Sequence, residues 1–228
     1  MDTMSDRSIS DGERSRWFEG KVFTHPDSVS ANAGLWMRTL SPLRERPAEV
    51  LEIGTLEGRS ALFFLNFLPR SRITCIDPFP QDRERTFDTN LGALAGRVEK
   101  LKSFSLPALI RLRNATRKFD VIYIDGDHHR EAVALDSFLS WPMLRLGGFL
   151  IWDDYRHKAN EPAAGRPGPA IDGFLAAYAG EFEELHRAWQ LIVKKSADCP
   201  APRMKVEPLD GLKARLRTWR KRARNQWF

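Results

Sequence analysis

The chain has 228 residues, 42% hydrophobic and 29% charged, with a formal net charge of +6. That length suits one well-buried domain with appendages and argues against two full domains, and with only Cys75 and Cys199 present a disulfide scaffold is excluded. No apolar run reaches the roughly 18 residues needed to span a bilayer. The polar N-terminal stretch MDTMSDRSISDGERS fits neither a secretion signal nor a transit peptide, so the expected location is cytoplasmic.

Residues 1–16 read as a frayed start. Trp17, Phe18 and Phe23 form an aromatic cluster that either packs an N-terminal arm or walls a ligand pocket, the first being the simpler reading. Asp27 or Ser28 is the expected N-cap of a helix through Val29, Leu35, Trp36, Leu40 and Leu43 that ends around residues 42–47. From residue 50 the pattern alternates. Strands are expected at 50–53, 72–77, 97–103, 119–125 and 147–154, and helices at 60–68, 83–94, 106–113 and 129–144. Residues 155–169, rich in Pro, Gly and charge, read as a loop long enough to act as a lid. A helix at 170–179 and two closing strands around FEELH and WQLIVKK complete the pattern. Short β–α connections imply an α/β fold, a mostly parallel sheet with helices on both faces. The expected organisation is an N-terminal arm and helix (1–47), the α/β domain (48–196), and a linker with a C-terminal helix (197–228).

The chemistry concentrates at the carboxyl ends of the expected strands, where open α/β sheets bind ligands. In LEIGTLEGRSA, Gly54 and Gly58 permit a tight turn into a helix N-terminus, a place for an anionic ligand, with Ser60 placed to donate to a carboxylate. Leu56 stands where a dinucleotide fingerprint has its middle glycine, which disfavours NAD. Asp77 ends the second strand and suits the hydroxyls of a ribose, although an N-cap or turn role fits it too. Asp125, Asp153 and Asp154 follow two neighbouring strands and would face one hard cation, with His128 beside them as a base; a crowded acidic site without metal remains the other reading. One of Asp127 and His129 serves only to start the next helix, and Asp136 reads as a brace. His25, His157 and His186 lack companions at zinc-ligand spacing, and Arg156 and His157 either touch substrate or sit solvated in the loop.

The strings LEIGTLEGRSA, CIDPF, FDVIYIDGDHHREAVALD and GGFLIWDDY, in this order, resemble the successive motifs of the class I S-adenosylmethionine-dependent methyltransferases. Within that class they are similar to the metal-dependent O-methyltransferases, in the branch of the macrolide-sugar O-methyltransferases and the relatives of cephalosporin hydroxylase. The likeness covers residues 48–195. It implies a Rossmann-like, seven-stranded sheet whose last strand is antiparallel. It implies that Gly54, Gly58 and Ser60 hold the methionine end of S-adenosylmethionine, Asp77 the ribose, and that Ser103 and Phe104 border the adenine. Glu52 would lie beneath the methionine moiety or merely brace the turn. Asp125, Asp153 and Asp154 would be ligands for Mg²⁺, with Asp125 also meeting the cofactor. Catechol-type relatives have Asp-Asn where Asp153-Asp154 stands, and a lysine base where this chain, like the macrolide-sugar branch, has His128.

The expected activity is thus methylation of a small-molecule hydroxyl on a sugar, polyketide or catechol-like acceptor. The alternatives are an NAD-type nucleotide-binding protein and a non-catalytic module recruited to an anionic surface. The basicity bears on the last of these: residues 203–228 hold nine Lys/Arg and two acids, while the rest of the chain is nearly neutral. Leu212, Leu216, Trp219 and Ala223 would form one stripe of a basic amphipathic helix at 209–228. That helix would dock on its own domain or on a second subunit in a homo-oligomer, or meet an anionic membrane; nucleic acid is the less favoured partner.

Overall fold

Seven short segments, the central ones largely apolar, set the architecture. In the computed structural model, which describes residues 9–80, 82–160, 162 and 165–198, each becomes a strand of one sheet. In chain order the elements are α1 (Asp11–Arg16), α2 (Val29–Leu40), β1 (Ala48–Ile53), α3 (Arg59–Phe67), β2 (Ser71–Asp77), α4 (Arg83–Leu91) and β3 (Val98–Lys102). There follow α5 (Ser105–Asn114), β4 (Phe119–Ile124), α6 (Arg130–Ser140), β5 (Leu144–Trp152), α7 (Gly168–Ala177), β6 (Phe182–Arg187) and β7 (Leu191–Lys195). The strand order is β3-β2-β1-β4-β5-β7-β6. Every pair from β3 to β5 is parallel, and β7 runs antiparallel to both β5 and β6. The expected α/β, Rossmann-like seven-stranded sheet with an antiparallel last strand is therefore what the chain forms.

Alternation along the strands divides the core. Val50, Ile73, Cys75, Val121, Tyr123 and Ile151 turn to one face and pack under α2, α3 and α4. Leu51, Ile53, Ile76, Ile122, Ile124 and Leu150 turn to the other, under α5, α6 and α7. The central strands are buried on both faces, which is why they read as unbroken apolar runs. The strand order reverses at β1 and β4, so the crevice between their carboxyl ends is where such a sheet presents a ligand site.

Two expectations at the N-terminus are refined. Residues 11–16 are helical rather than frayed, because Ser10 and Glu13 form a reciprocal capping box, with Glu13 N–H donating to Ser10 Oγ at 3.2 Å and Ser10 N–H to Glu13 Oε2 at 2.9 Å. At α2 the cap is supplied by Asp27, whose Oδ1 accepts from Val29 N–H at 3.0 Å and Ser30 N–H at 2.9 Å, and not by the Ser28 side chain. Trp17 packs on Phe63 (ring centroids 5.8 Å) and Phe18 on Phe23 (6.3 Å), which is the arm-packing role. The basic helix expected at 209–228 lies outside the described residues. Among the described residues no helix is long and apolar enough to cross a membrane.

The α6–α7 face closes on Phe174, which is fully buried among Tyr178, Trp152 and Trp141 at centroid distances of 4.8, 5.3 and 5.4 Å. Phe174→Ala is expected to lower the unfolding free energy by about 3–5 kcal/mol through lost transfer energy and the cavity left behind. Urea denaturation checks this; a loss under about 1 kcal/mol would mean the ring cluster collapses onto the gap.

Candidate active site

Gly54 leaves β1 at φ +85°, and a Cβ there would sit 2.1 Å from the carbonyl oxygen of Asp125. Only glycine permits this approach, and it brings the first loop flush against the end of β4. The strand ends are also linked by hydrogen bonds, Asp125 N–H to Ile53 O at 2.8 Å and Gly54 N–H to Ile76 O at 2.9 Å. Gly58 (φ +82°) is the last residue before α3, and a Cβ there would strike Leu91 Cδ2 at 2.3 Å. Its glycine is required by the packing of α4. Between them Leu56 adopts φ +47°, held by its N–H donating to Asp77 Oδ2 at 2.9 Å; Asp77 Oδ1 accepts from Phe79 N–H at 2.6 Å.

A cavity of about 430 Å³ opens over this junction, within the usual range for small-molecule sites. Of the residues expected to bind cofactor, Gly54, Asp77, Ser103, Phe104 and Asp125 line it. Glu52, Gly58 and Ser60 do not. Ser60 Oγ donates instead to Glu52 Oε1, so its proton is committed within the protein. Glu52 is fully buried and also receives Thr55 Oγ1–H at 2.7 Å and the Cys75 thiol at 3.5 Å. Burial pushes its carboxyl up to about 7 against these three donors, and the charge of Asp77 adds to the rise. Glu52 braces the turn from behind.

His25 lines the cavity although nothing in its sequence surroundings marks it. It arrives on a strap, residues 22–27, tied across the glycine loop. Glu57 accepts from Thr24 N–H (3.0 Å) and from Thr24 Oγ1–H, while Asn90 bonds both the N–H and the carbonyl of Val22 (3.0 and 2.8 Å). Arg59 pairs with Asp27 at 3.1 Å and lies 4.0 Å over the Phe23 ring. Glu57 and Arg59 are letters of LEGRS that look like mere turn residues until the strap is seen.

At the far side of the cavity the acids meet. Tyr123 O–H contacts both Asp153 Oδ1 (2.8 Å) and Asp125 Oδ2 (3.1 Å), one proton between two carboxylates. Burial raises the Asp125 carboxyl well above its ordinary range, and the charges of Asp153 and Asp154 add to this; Asp153 is raised by burial and by Asp154. Such a cluster must hold protons or a cation. His128 Nδ1 lies 2.8 Å from Asp154 Oδ2, and this hydrogen bond raises the imidazole above its usual value. The His157 ring stands 5.0 Å from that of His128, with Nδ1 3.7 Å from Asp154 Oδ1, so His157 belongs to the site margin rather than to open loop.

Of the three aspartates expected as metal ligands, Asp125 and Asp154 converge with His128. One ligand atom each from Asp125, His128 and Asp154 lies within 4.8 Å of the others. Asp153 Oδ1 accepts from Tyr123 O–H and from Gln190 Nε2–H. Carboxylate oxygens at a rim that leaves room for waters suit a hard divalent cation. Asp127 accepts from His129 N–H at 2.9 Å and from its ring, so both of these residues serve the start of α6. Asp136 is buried against Ser105, with Oδ1 unpartnered, and burial raises its carboxyl to about 6.

The sheet order, the antiparallel β7 and the cavity at the β1–β4 reversal together make a Rossmann-like α/β fold with its ligand site at the strand ends. Residues 51–155 match the family described as a methyltransferase domain. Two solved structures similar in fold are the MycE methyltransferase of the mycinamycin biosynthetic pathway, in complex with Mg and SAH, and an O-methyltransferase from Bacillus cereus in complex with SAH. The first is 20% identical with a TM-score of 0.60 over 82% of this chain and 55% of that one. The second is 20% identical with a TM-score of 0.62 over 77% of this chain and 84% of that one. The protein R132 of Acanthamoeba polyphaga mimivirus is 27% identical over 142 residues, 58% of this chain. The chain spans 62% of the length of R132 and 55% of that of MycE.

Glu52 yields a pH test. Its carboxyl is raised in the folded protein, from 4.5 to about 7, so its contribution to stability is fully present below the lower value and lost as pH rises through the upper one. Glu52→Gln should remove roughly 3 kcal/mol of the decline between about pH 5 and about pH 8. Urea midpoints of both proteins across that range measure it; parallel curves would count against a buried, protonating Glu52.

Proposed function

We propose that this protein is an S-adenosylmethionine-dependent O-methyltransferase acting on a hydroxyl of a small molecule, with a divalent cation such as Mg²⁺ at the acidic cluster. The observation that carries the reading is the meeting of Asp125, His128 and Asp154 at the rim of the cavity that Gly54 and Asp77 line. The methyltransferase domain and the complexes of the similar structures with SAH, in MycE also with Mg, support it.

Asp77, with both oxygens already accepting from Leu56 and Phe79 N–H, retains lone pairs toward the cavity for the two hydroxyls of a ribose. Ser103 and Phe104 would border the adenine on the same wall. Asp125 and Asp154 would hold the cation. When bound, S-adenosylmethionine supplies an electrophilic methyl group, and Mg²⁺ supplies Lewis acidity that lowers the pKa of an acceptor hydroxyl.

The base is His128. Asp154 fixes its Nδ1 as the protonated nitrogen, which leaves the Nε2 lone pair free to accept the hydroxyl proton. The hydroxyl proton would end on Nε2 as the methyl group passes from the sulfonium sulfur, left as a thioether, to the acceptor oxygen, and the imidazolium would be stabilised by Asp154 and by the nearby charge of Asp153. The remaining contribution is positioning, since donor and acceptor are held on one rigid set of strand ends. The convergence of His128 with the two carboxylates also favours a second reading, in which its ring is a metal ligand.

His128→Ala separates the two. A base role predicts a fall in kcat of about 10²–10⁴-fold with unchanged binding of Mn²⁺ and of S-adenosylmethionine by calorimetry. It also predicts that the rising limb of activity with pH, where wild-type His128 loses its proton, disappears. Loss of Mn²⁺ binding would mean a ligand instead. Methyl transfer to hydroxylated sugars, polyketides and catechols should fail in EDTA and return with Mg²⁺. Titration with S-adenosylmethionine beside NAD tests the cofactor, and no binding of the former would sink the assignment.

A further inference from the structure

Behind the acidic cluster lie Trp36 and Gln190, which have no part in the chemistry just described. Trp36 Nε1–H on α2 donates to Gln190 Oε1 at 2.8 Å, across 154 residues of sequence. Gln190 Nε2–H then donates to Asp153 Oδ1, which also receives Tyr123 O–H at 2.8 Å; the same hydroxyl stands 3.1 Å from Asp125 Oδ2. Trp36 and Tyr123 are fully buried, Gln190 is 1% exposed and Asp153 6%.

We propose that Gln190 is a positioning residue for the cation site, with Trp36 fixing the orientation of its amide. The inference rests on the divalent-cation reading above. An indole N–H can only donate, and an ionised carboxylate can only accept. Placed between them, the amide has one favourable orientation, carbonyl toward Trp36 and NH₂ toward Asp153. The flipped amide would set its oxygen against Asp153 and its NH₂ against the indole N–H. With Gln190 and Tyr123 both donating to Asp153 Oδ1, the orientation of that carboxylate is fixed while its charge stays beside Asp125. The tyrosine hydroxyl carries the constraint on to Asp125. Packing alone does not call for a glutamine here. α2 is already anchored by Trp36 on Phe64, Phe63 and Tyr123, at centroid distances of 5.3, 5.1 and 5.2 Å. A buried amide is costly unless its hydrogen bonds are made, and this one has its oxygen engaged by Trp36 and its NH₂ by Asp153. Partners of this kind behind metal ligands typically govern affinity by about 10–100-fold.

The test uses the full-length protein and Mn²⁺ as probe, with free ion counted by electron paramagnetic resonance and folding checked by circular dichroism. Gln190→Leu should weaken Mn²⁺ binding about tenfold or more. Trp36→Phe keeps the ring packing and frees the amide to flip, so it should weaken binding by a smaller factor. The double variant should match Gln190→Leu, because Trp36 acts only through the amide. The affinity for S-adenosylmethionine should stay within about twofold of wild type, since Gln190 acts on the acids and not on the cofactor wall. The proposal is overturned if folded Gln190→Leu and Trp36→Phe bind Mn²⁺ as wild type does, or if cofactor affinity falls in step with metal affinity. Wild-type protein that binds no Mn²⁺ would overturn the cation reading together with this one, whereas wild-type binding with indifferent variants would overturn this one alone.

Discussion

The contact between Gly54 and the Asp125 carbonyl is the constraint on which the site depends. There the loop after β1 and the end of β4 touch with no room for a methyl group. The two halves of the sheet diverge from this point, since the strand order reverses between β1 and β4. Apart from Asp125, the residues proposed for the cofactor lie on the β1–β2–β3 side, and the acids lie on the β4–β5 side. A donor held on one and an acceptor held on the other would thereby be kept at a separation fixed by backbone rather than by flexible side chains. Hydrogen bonds from Asp125 N–H and Gly54 N–H to neighbouring strands keep the contact rigid.

Around that contact the protein buries carboxylates at an unusual density. Glu52, Asp77 and Asp153 are each 6% exposed or less, and Asp125 beside them is half-buried. They are treated in two ways. Glu52 and Asp77 are satisfied by hydroxyl, thiol or backbone N–H donors and serve the shape of the glycine loop. Asp125, Asp153 and Asp154 share too few donors for their charge, a single tyrosine proton and one amide among the buried pair. That imbalance marks the second group as chemical rather than structural, since an uncompensated cluster of like charges is tolerated where a cation completes it.

The sheet and the strand-end residues were legible in the sequence because their signals are local. An apolar run followed directly by glycine or aspartate identifies a buried strand and the group at its tip, and Gly54, Asp77, Asp125 and Asp153 all follow that rule. The contacts that modify the site are long-range and leave no local trace. Glu57 meets Thr24 across 33 residues, Val22 meets Asn90 across 68, and Trp36 meets Gln190 across 154. Ser60 and Glu52 were visible as polar residues, but their pairing follows from burial behind the turn, which alternation alone does not reveal. The capping box at Ser10 and Glu13 was local and readable; the polar composition around it obscured the signal.

The place of β7 has a consequence for biosynthesis. It is the last of the seven strands in the chain, yet it is threaded between β5 and β6 rather than added at an edge. A nascent polypeptide emerging from the ribosome can pair β1 to β5 early, but the gap beside β5 is filled only when residues 191–195 have been made. Gln190 stands at the threshold of that final strand, so Asp153 acquires its amide partner only as the sheet closes. Completion of the acidic site is thus timed to completion of the fold, and an unfinished chain carries its aspartates without the partner that orders them.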